Sequence, residues 1–461
     1  MDREIAAIMR EDEAVRAFAW DNGTWVRTEQ LQAPSGRTDM RLVLCGALLA
    51  LISSVADAAD APVAIYSPDP NHLWNRLYHA MAICTLDGVQ YGADIAEPYP
   101  DDFDGRKRLI STLDEFVRTQ GERSLPGETR RALMLNDVWT AFDISAVHGG
   151  IELRSRIARA IERLRMPTSD VARLKDNYAE AVKSGKFPKD FDPAHPDIAF
   201  LPPDLFDPAG PWVQIKSERG LVAPIHVQMV SGRSAFLVFI RCPGGREATL
   251  SYLQRLNVHP TPWQPNPASL GTSYPEGRQV RMDVLRPDQN TPQFPEGTVV
   301  ALVRRMMVID EKLDPVVTPI TQKVQFRVYR KLQAMTHELD WPQSAYEFVM
   351  RRRELIAGMG GGLHPVSPDE REYQALLVPH EKGNASYFTG PVVLRTCAGC
   401  HRAKGIFSVG SYLGMFDHNP TNPQLLPASQ PEDQGVATAR WKKAQFNWGL
   451  LEGLLQAERS R

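Results

Sequence analysis

The chain has 461 residues, of which 43 % are hydrophobic and 23 % are charged. These values are typical of a soluble globular protein of about two or three domains, and they exclude wholesale disorder and a polytopic membrane protein. The formal net charge of −2 favours neither nucleic acid nor an anionic membrane surface as a partner.

An apolar run near the N-terminus predicts export. Residues 42–52 are apolar, follow Met40 and Arg41, and precede Ala56 and Ala58 in the small-x-small pattern that signal peptidase reads. The run is too short to span a bilayer comfortably. We therefore interpret residues 40–58 as a bacterial signal peptide, which places the mature protein in the periplasm or outside the cell without a transmembrane anchor.

The position of this run predicts where the natural chain starts. Residues 1–39 are acidic and unpatterned, and we interpret them as an over-extended gene start ahead of Met40. The mature protein then begins near Ala59. A buried apolar helix at residues 42–55 is the alternative interpretation.

Residues 59–200 are expected to form a helical domain. Apolar side chains recur there at three- and four-residue spacing, which is typical of amphipathic helices. The segments with this spacing are residues 73–81, 109–116, 133–142 and 151–164. Proline and aspartate crowd residues 186–211, which indicates an irregular boundary.

Residues 201–340 are expected to form a β-rich domain with a mixed or antiparallel sheet. Alternating or continuous apolar runs predict the strands. These runs are residues 212–215, 225–230, 235–240, 279–285, 298–308 and 323–329. Gly232 and Arg233 predict a hairpin between the second and third runs, and a short helix is expected near residues 248–256.

Residues 341–461 are expected to be helical, at residues 344–356, 367–377 and 436–456. The glycines from Gly358 to Gly362 end the first of these helices. The whole chain therefore predicts an α+β fold, with a helical N-terminal region, a central β region and a C-terminal helical segment.

The C-terminal segment contains Cys397-Ala398-Gly399-Cys400-His401, a C-x-x-C-H motif. Two thiols at this spacing can bond to the two vinyl groups of one porphyrin, and the histidine that follows then faces the iron. The motif resembles the haem-attachment site of c-type cytochromes. The resemblance covers about residues 368–461 and implies one covalent haem c, with thioethers to Cys397 and Cys400 and His401 as the proximal ligand.

Other chemistry can use the same two cysteines. A structural disulfide between Cys397 and Cys400 is the simplest alternative, and a thioredoxin-like redox pair is possible because residues 392–394 could be a preceding strand. A zinc site would need two further ligands, and the sequence has no second C-x-x-C and no H-x₃₋₅-H. Export favours haem, because c-type haem is attached outside the cytoplasm.

The sixth iron ligand departs from the family pattern. Small c-type cytochromes place an axial methionine several tens of residues after the motif, whereas here the last methionine is Met415. Met415 is the first candidate for this ligand, because thioether ligation suits electron transfer, and the alternative is a core methionine beside Phe416. An open site is a further possibility, and the other candidates are His418, His380, His364 and Met359.

The expected function is electron transfer with a redox partner protein. One alternative is a haem-dependent oxidoreductase with an open iron site. Another is a haem-free exported binding or structural protein whose C-x-x-C is a disulfide. Cys84 and Cys242 are the remaining cysteines of the mature chain, and they either pair or remain buried thiols.

Overall fold

The fold is described from a computed structural model. The structure describes residues 18–21, 24–27, 63–86, 89–91, 103–148, 150–218, 220–259, 261–267, 285–330, 343–368, 370, 374–376, 386–388, 401, 403–413 and 424–459. The chain divides into two compact units, Met1–Ala58 and Ala59–Arg461. In the first unit, β1 (Phe18–Asp21) and β2 (Thr24–Arg27) pair as antiparallel strands.

The second unit contains helices and a large sheet. Its described helices are α1 (Leu73–Ala82), α2 (Phe103–Arg118), α3 (Glu128–His148), α4 (Gly150–Leu164), α5 (Thr168–Ala172), α6 (Asn177–Lys183), α7 (Pro224–Met229), α8 (Gly245–Asn257), α9 (Arg352–Ile356), α10 (Gly410–Leu413), α11 (Asp433–Lys443) and α12 (Phe446–Arg459). Its described strands are β3 (Cys84–Leu86), β4 (Val89–Tyr91), β5 (Val213–Ser217), β6 (Ser234–Arg241), β7 (Trp263–Pro265), β8 (Leu285–Pro287), β9 (Val299–Ile309), β10 (Pro315–Tyr329), β11 (Gln343–Met350), β12 (Leu363–Pro365), β13 (Gln374–Leu376), β14 (Ser386–Phe388) and β15 (Leu425–Pro427).

Seven of these strands form one antiparallel sheet in the order β12-β11-β10-β9-β6-β5-β15. The long central strands β9 and β10 are rich in β-branched and apolar residues, which suit a sheet covered on both faces. The sheet draws its strands from residues 213–217 through to residues 425–427. It is therefore the element that connects the middle of the chain to its C-terminal part.

The sheet separates two hydrophobic cores, because side chains alternate between its faces. In the first core, Leu237 and Phe326 of the sheet pack with the helices of residues 73–181. In the second core, Phe236 and Tyr329 pack with α8 and with residues 406–412. The second core is the one that includes the residues next to the C-x-x-C-H motif.

Helix α3 lies across the first face of the sheet. Its middle is buried on nearly every side, as expected of a helix enclosed by protein. The Asn136 amide donates to the Met307 carbonyl over 2.8 Å and accepts from Gln322 over 3.2 Å. These bonds satisfy polar groups at the helix–sheet contact, where an unpaired amide would be costly.

The expected α+β fold is confirmed, and so are several of its elements. Strands β5, β6 and β9 match the predicted runs at residues 212–215, 235–240 and 298–308, and α8 matches the helix expected near residues 248–256. Most of the run at residues 279–285 lies outside the described residues. The domain boundaries expected at residues 200 and 340 stay predictions. The described residues from 59 onward belong to one compact unit, and the large sheet takes strands from both sides of residue 340.

The strand predicted at residues 225–230 is wrong, because this segment is helix α7. Pro224 stands at the first helical turn, where its fixed φ is favourable, and Ser231 and Gly232 end the helix with positive φ. The hairpin expected at Gly232 and Arg233 is therefore absent too, and these residues connect a helix to β6. An apolar run as short as this one is compatible with the residue spacing of a helix and with that of a strand.

The helix predicted at residues 344–356 is also wrong over most of its length. Residues 343–350 are strand β11, which pairs with β10 over seven residues, from Lys323 opposite Val349 to Tyr329 opposite Gln343. Pairing with a central strand outweighs the local helical pattern. Only α9 (Arg352–Ile356) is helical, and it ends before Gly358 as expected.

Two C-terminal helices also differ from expectation. Residues 374–376 are strand β13, which contradicts part of the helix expected at residues 367–377. The helix expected at residues 436–456 is two helices, α11 and α12, separated at Ala444 and Gln445. In the part of the chain that the structure describes, no helix is long and apolar enough to cross a membrane.

Candidate functional site

The structure describes one residue of the C-x-x-C-H motif, His401. Cys397, Cys400, Met415, His418 and His380 lie outside the described residues. The predictions for their roles therefore stay predictions.

His401 is held by a hydrogen bond to the backbone. Its Nδ1 lies 2.8 Å from the carbonyl oxygen of Ser408, at the end of the 3-10 turn Gly405–Ser408. A carbonyl can only accept, so this bond places the ring proton on Nδ1 and leaves Nε2 with a free lone pair. An imidazole oriented through Nδ1 in this way carries its lone pair on Nε2, which is the form that binds a metal ion.

Side chains of β10 in turn hold Ser408. The Ser408 hydroxyl donates to the Gly405 carbonyl over 2.8 Å, so it accepts from the Tyr329 hydroxyl over 2.6 Å. Arg327 Nη1 lies 3.3 Å from both the carbonyl and the hydroxyl oxygen of Ser408. The orientation of His401 is thus fixed by a central strand of the sheet, through Ser408.

A second histidine, His226, lies beside His401. Their ring centroids are 6.1 Å apart and their planes are inclined by only 9°. His226 comes from α7, and its ring also packs on Phe236 of β6 with centroids 5.3 Å apart. Two imidazoles from distant parts of the sequence therefore face the same small region on the second side of the sheet.

Both imidazoles are neutral at physiological pH. Burial, together with the positive charges of Arg327, Arg304 and Lys323, lowers the pKa of His226 to about 4. Burial, followed by Arg327, holds the pKa of His401 well below its ordinary range. The neutral ring is the form that ligates a metal.

Positive charge surrounds this pair. Arg304 and Arg327 are each 6 % exposed. Arg304 Nε donates to the Ser234 hydroxyl over 3.0 Å, and Lys323 Nζ lies 3.6 Å from Glu347 Oε1. A buried cation favours a nearby anion, such as the carboxylate of a bound ligand.

The other ligand candidates that the structure describes lie elsewhere. His364 is on β12, with its Nδ1 3.9 Å from Glu354 Oε1, and Met359 is 51 % exposed. Cys242 is a free, buried thiol, and the side chain of Cys84 lies outside the described residues. Among the described residues, no group of three or more His, Cys, Asp or Glu side chains is placed to hold a metal ion.

Sequence reasoning did not single out His226. A lone histidine in an apolar segment has no motif, and the segment was interpreted as a strand. Only the tertiary contact between His226 of α7 and His401 of the motif reveals the pair.

The first core contains two buried charge clusters that belong to the scaffold. In one, the Asp137 carboxylate pairs with Arg352 and accepts from the Tyr66 hydroxyl over 2.6 Å. In the other, Asp143 pairs with Arg233 and Lys442. Both carboxylates belong to α3 and tie it to residues far away in the sequence.

Comparison of the chain with protein-family models, with curated proteins and with solved structures finds no match. The geometry around His401 and the C-x-x-C-H motif therefore carry the functional argument.

Proposed function

We propose that this chain is an exported redox protein that carries one haem c, bound covalently by Cys397 and Cys400 with His401 as the proximal ligand, and that it transfers electrons to or from a partner protein. The observation that carries the proposal is the 2.8 Å contact between His401 Nδ1 and the Ser408 carbonyl. A metal-binding histidine typically makes such a bond with the nitrogen that does not bind the metal.

The residues around His401 fit a haem. The motif supplies two thiols and an imidazole, and the bond from Nδ1 of that imidazole to Ser408 would leave the Nε2 lone pair for the iron. Arg327 and Arg304 would provide positive charge for the haem carboxylates. When bound, a haem supplies one-electron redox chemistry, while the protein sets its ligands, its charge environment and its access to water.

Export and haem attachment support each other in this proposal. Haem c is attached outside the cytoplasm, and the predicted signal peptide at residues 40–58 would direct the chain there. The boundary between the two compact units follows Ala58. Cleavage near Ala59 would therefore leave the second unit intact.

A haem stain after denaturing electrophoresis tests the proposal. The full chain is produced in bacteria together with the cytochrome c maturation machinery. We expect the natural chain and Cys242→Ser to keep the stain, because Cys242 lies outside the motif. We expect Cys397→Ser and Cys400→Ser to lose or weaken it. An unstained natural chain would overturn the proposal and favour a disulfide between the two cysteines.

A further inference from the structure

The buried charge cluster around Asp143 in the first core contains more positive than negative charge. Asp143 Oδ2 accepts from Arg233 Nη1 over 2.8 Å and from Lys442 Nζ over 2.6 Å. A third cation, Arg154 of α4, is 9 % exposed, and its guanidinium carbon lies 5.8 Å from the ring centroid of Phe142, the residue before Asp143. Among the described residues, the Asp143 carboxylate is the negative charge that acts on Arg154 and on Lys442. Three cations therefore surround one carboxylate.

Loss of a proton does not remove this excess. Arginine keeps its proton inside proteins, so Arg154 and Arg233 both remain charged. Burial lowers the pKa of Lys442 to about 8, so this side chain is mostly charged at pH 7. Even a neutral Lys442 would leave two guanidinium groups against one carboxylate. Because a buried charge without a counter-charge is strongly unfavourable, the cluster favours a bound anion.

Four polar atoms of this cluster are buried and have no hydrogen-bond partner among the described residues. They are Arg154 Nε, Arg233 Nε, Trp139 Nε1 and Asp143 Oδ1. The neighbouring Trp448 differs, since it packs edge-on against Trp139 with centroids 5.8 Å apart but donates from Nε1 to Glu452 over 2.8 Å. Buried N–H groups are rarely left unpaired in proteins. The three unpaired donors therefore favour an acceptor from outside the chain.

The fourth unpaired atom, Asp143 Oδ1, is an acceptor, and it restricts the ligand further. A ligand that satisfies it must carry a proton of its own. Hydrogen phosphate has oxygens that accept and a hydroxyl that donates, whereas sulfate and acetate carry no proton at neutral pH. The combination of three donors and one acceptor therefore favours a protonated oxyanion.

We propose that this cluster binds one small oxyanion that carries a proton, such as hydrogen phosphate. Arg154, Arg233 and Trp139 donate to its oxygens, and its hydroxyl donates to Asp143 Oδ1. The guanidinium groups suit this ligand because their charged N–H groups form strong bonds to phosphate oxygens. The site does not involve haem, so the inference is independent of the proposed function.

The fold brings these side chains together from distant parts of the chain. Trp139 and Asp143 lie one turn apart on one face of α3, and Lys442 Nζ of α11 lies 5.2 Å from the Trp139 ring centroid. Arg154 is in the second turn of α4, and Arg233 directly precedes β6. Arg154 is also the most exposed of the five, since the other four are 3 % exposed or less. The ligand would therefore enter beside Arg154.

Isothermal titration calorimetry of the full chain with sodium phosphate tests this inference, at pH 7 in a phosphate-free chloride buffer of constant ionic strength. We expect one phosphate per chain. Arg154→Met should weaken binding about ten-fold or more, because it removes a charged donor. Arg154→Lys keeps the charge without the planar fork, so its affinity should be intermediate. Arg163→Met, an exposed change on the same helix, is the control and should bind as the natural chain does.

Urea unfolding of the same proteins shows that the variants fold. Without phosphate, Arg154→Met should unfold at the same urea concentration as the natural chain or at a higher one, because it removes a charge that has no counter-charge. Phosphate should raise the midpoint of the natural chain more than that of Arg154→Met. A lower midpoint for Arg154→Met in phosphate-free buffer would contradict the excess of positive charge.

Three further outcomes would overturn the inference. The first is a natural chain that does not bind phosphate. The second is equal affinity of the natural chain and Arg154→Met for phosphate. The third is sulfate binding as tight as phosphate binding, which would exclude the proposed bond to Asp143 Oδ1.

Discussion

Asp143 holds two buried cations in the first core. Its Oδ2 accepts from Arg233 Nη1 over 2.8 Å and from Lys442 Nζ over 2.6 Å, and none of the three side chains is more than 3 % exposed. Moving the Lys442 ammonium out of water costs more free energy than its attraction to Asp143 returns, because Arg233 pairs with the same carboxylate. Burial therefore lowers the pKa of Lys442 to about 8.

This shift predicts the pH dependence of stability. A lysine of the unfolded chain holds its proton up to about pH 10.4, so between about pH 8 and pH 10 the unfolded state binds more protons than the native state. The free energy of unfolding of the natural chain, minus that of Lys442→Met, should rise with pH in this window by up to about 1.4 kcal/mol per pH unit.

Urea unfolding at several pH values from 7 to 10 measures this difference. Arg440→Met, an exposed change on the same helix, is the control, because arginine keeps its proton throughout the range. A difference for Lys442→Met that stays flat or falls with pH would contradict the account.

Arg327 is expected to tune the iron. It is buried, contacts Ser408 and lowers the pKa of both histidines. A buried positive charge favours the reduced haem, so Arg327→Gln should lower the reduction potential by on the order of tens of millivolts.

Redox titration of the haem-loaded variant measures this shift. Arg330→Gln, three residues along the chain and exposed, should change the potential much less, because water screens its charge. Equal potentials for the natural chain and Arg327→Gln would argue against a haem near Arg327.

At the level of elements, the turn Gly360–Gly362 is a close-packed contact between α6 and the sheet edge. A Cβ on Gly361 would lie 1.9 Å from the Asn177 carbonyl oxygen, and Gly361 has φ +65°. Gly358 has nearly the same φ, +68°, but nothing lies within 4 Å of its Cβ position. The two glycines therefore separate backbone strain from steric overlap.

We expect Gly358→Ala to cost about 1–2 kcal/mol, the usual cost of a left-handed alanine. Gly361→Ala should cost at least about 3 kcal/mol, since backbone must also move. Chemical unfolding of the two variants provides the comparison. Equal losses of stability would mean that the contact with Asn177 is looser than described.

The elements also show what the sequence could predict. Strands β6 and β9 are continuous apolar runs, which are typical of a sheet covered on both faces, and the structure confirms both strands. The segments at residues 225–230 and 344–356 carry patterns that fit a helix or a strand, and their neighbours decide between the two. His401 was recognisable from its motif, whereas His226 was not, because only a contact between segments far apart in the chain places it beside His401.

At the level of the whole molecule, one sheet serves two purposes. Its first face packs on the helical region and holds the buried clusters at Asp137 and Asp143. Its second face carries the cations and the contacts that orient His226 and His401. In the haem-loaded protein, this division predicts that His401→Ala alters the absorption spectrum more than it alters overall stability.

Export is expected to remove the signal peptide at residues 40–58. N-terminal sequencing of protein recovered from the periplasm should begin near Ala59, because the cleavage pattern ends at Ala58. Protein that begins at Met1 in the cytoplasm would contradict export and weaken the case for haem c.

The central claim is one covalent haem at Cys397 and Cys400, and the intact mass of the purified protein under denaturing conditions tests it most directly. The account predicts the mass of the processed polypeptide plus one haem, reduced to the polypeptide alone when both cysteines are replaced by serine. A mass equal to the polypeptide less the two hydrogens of a disulfide would contradict it.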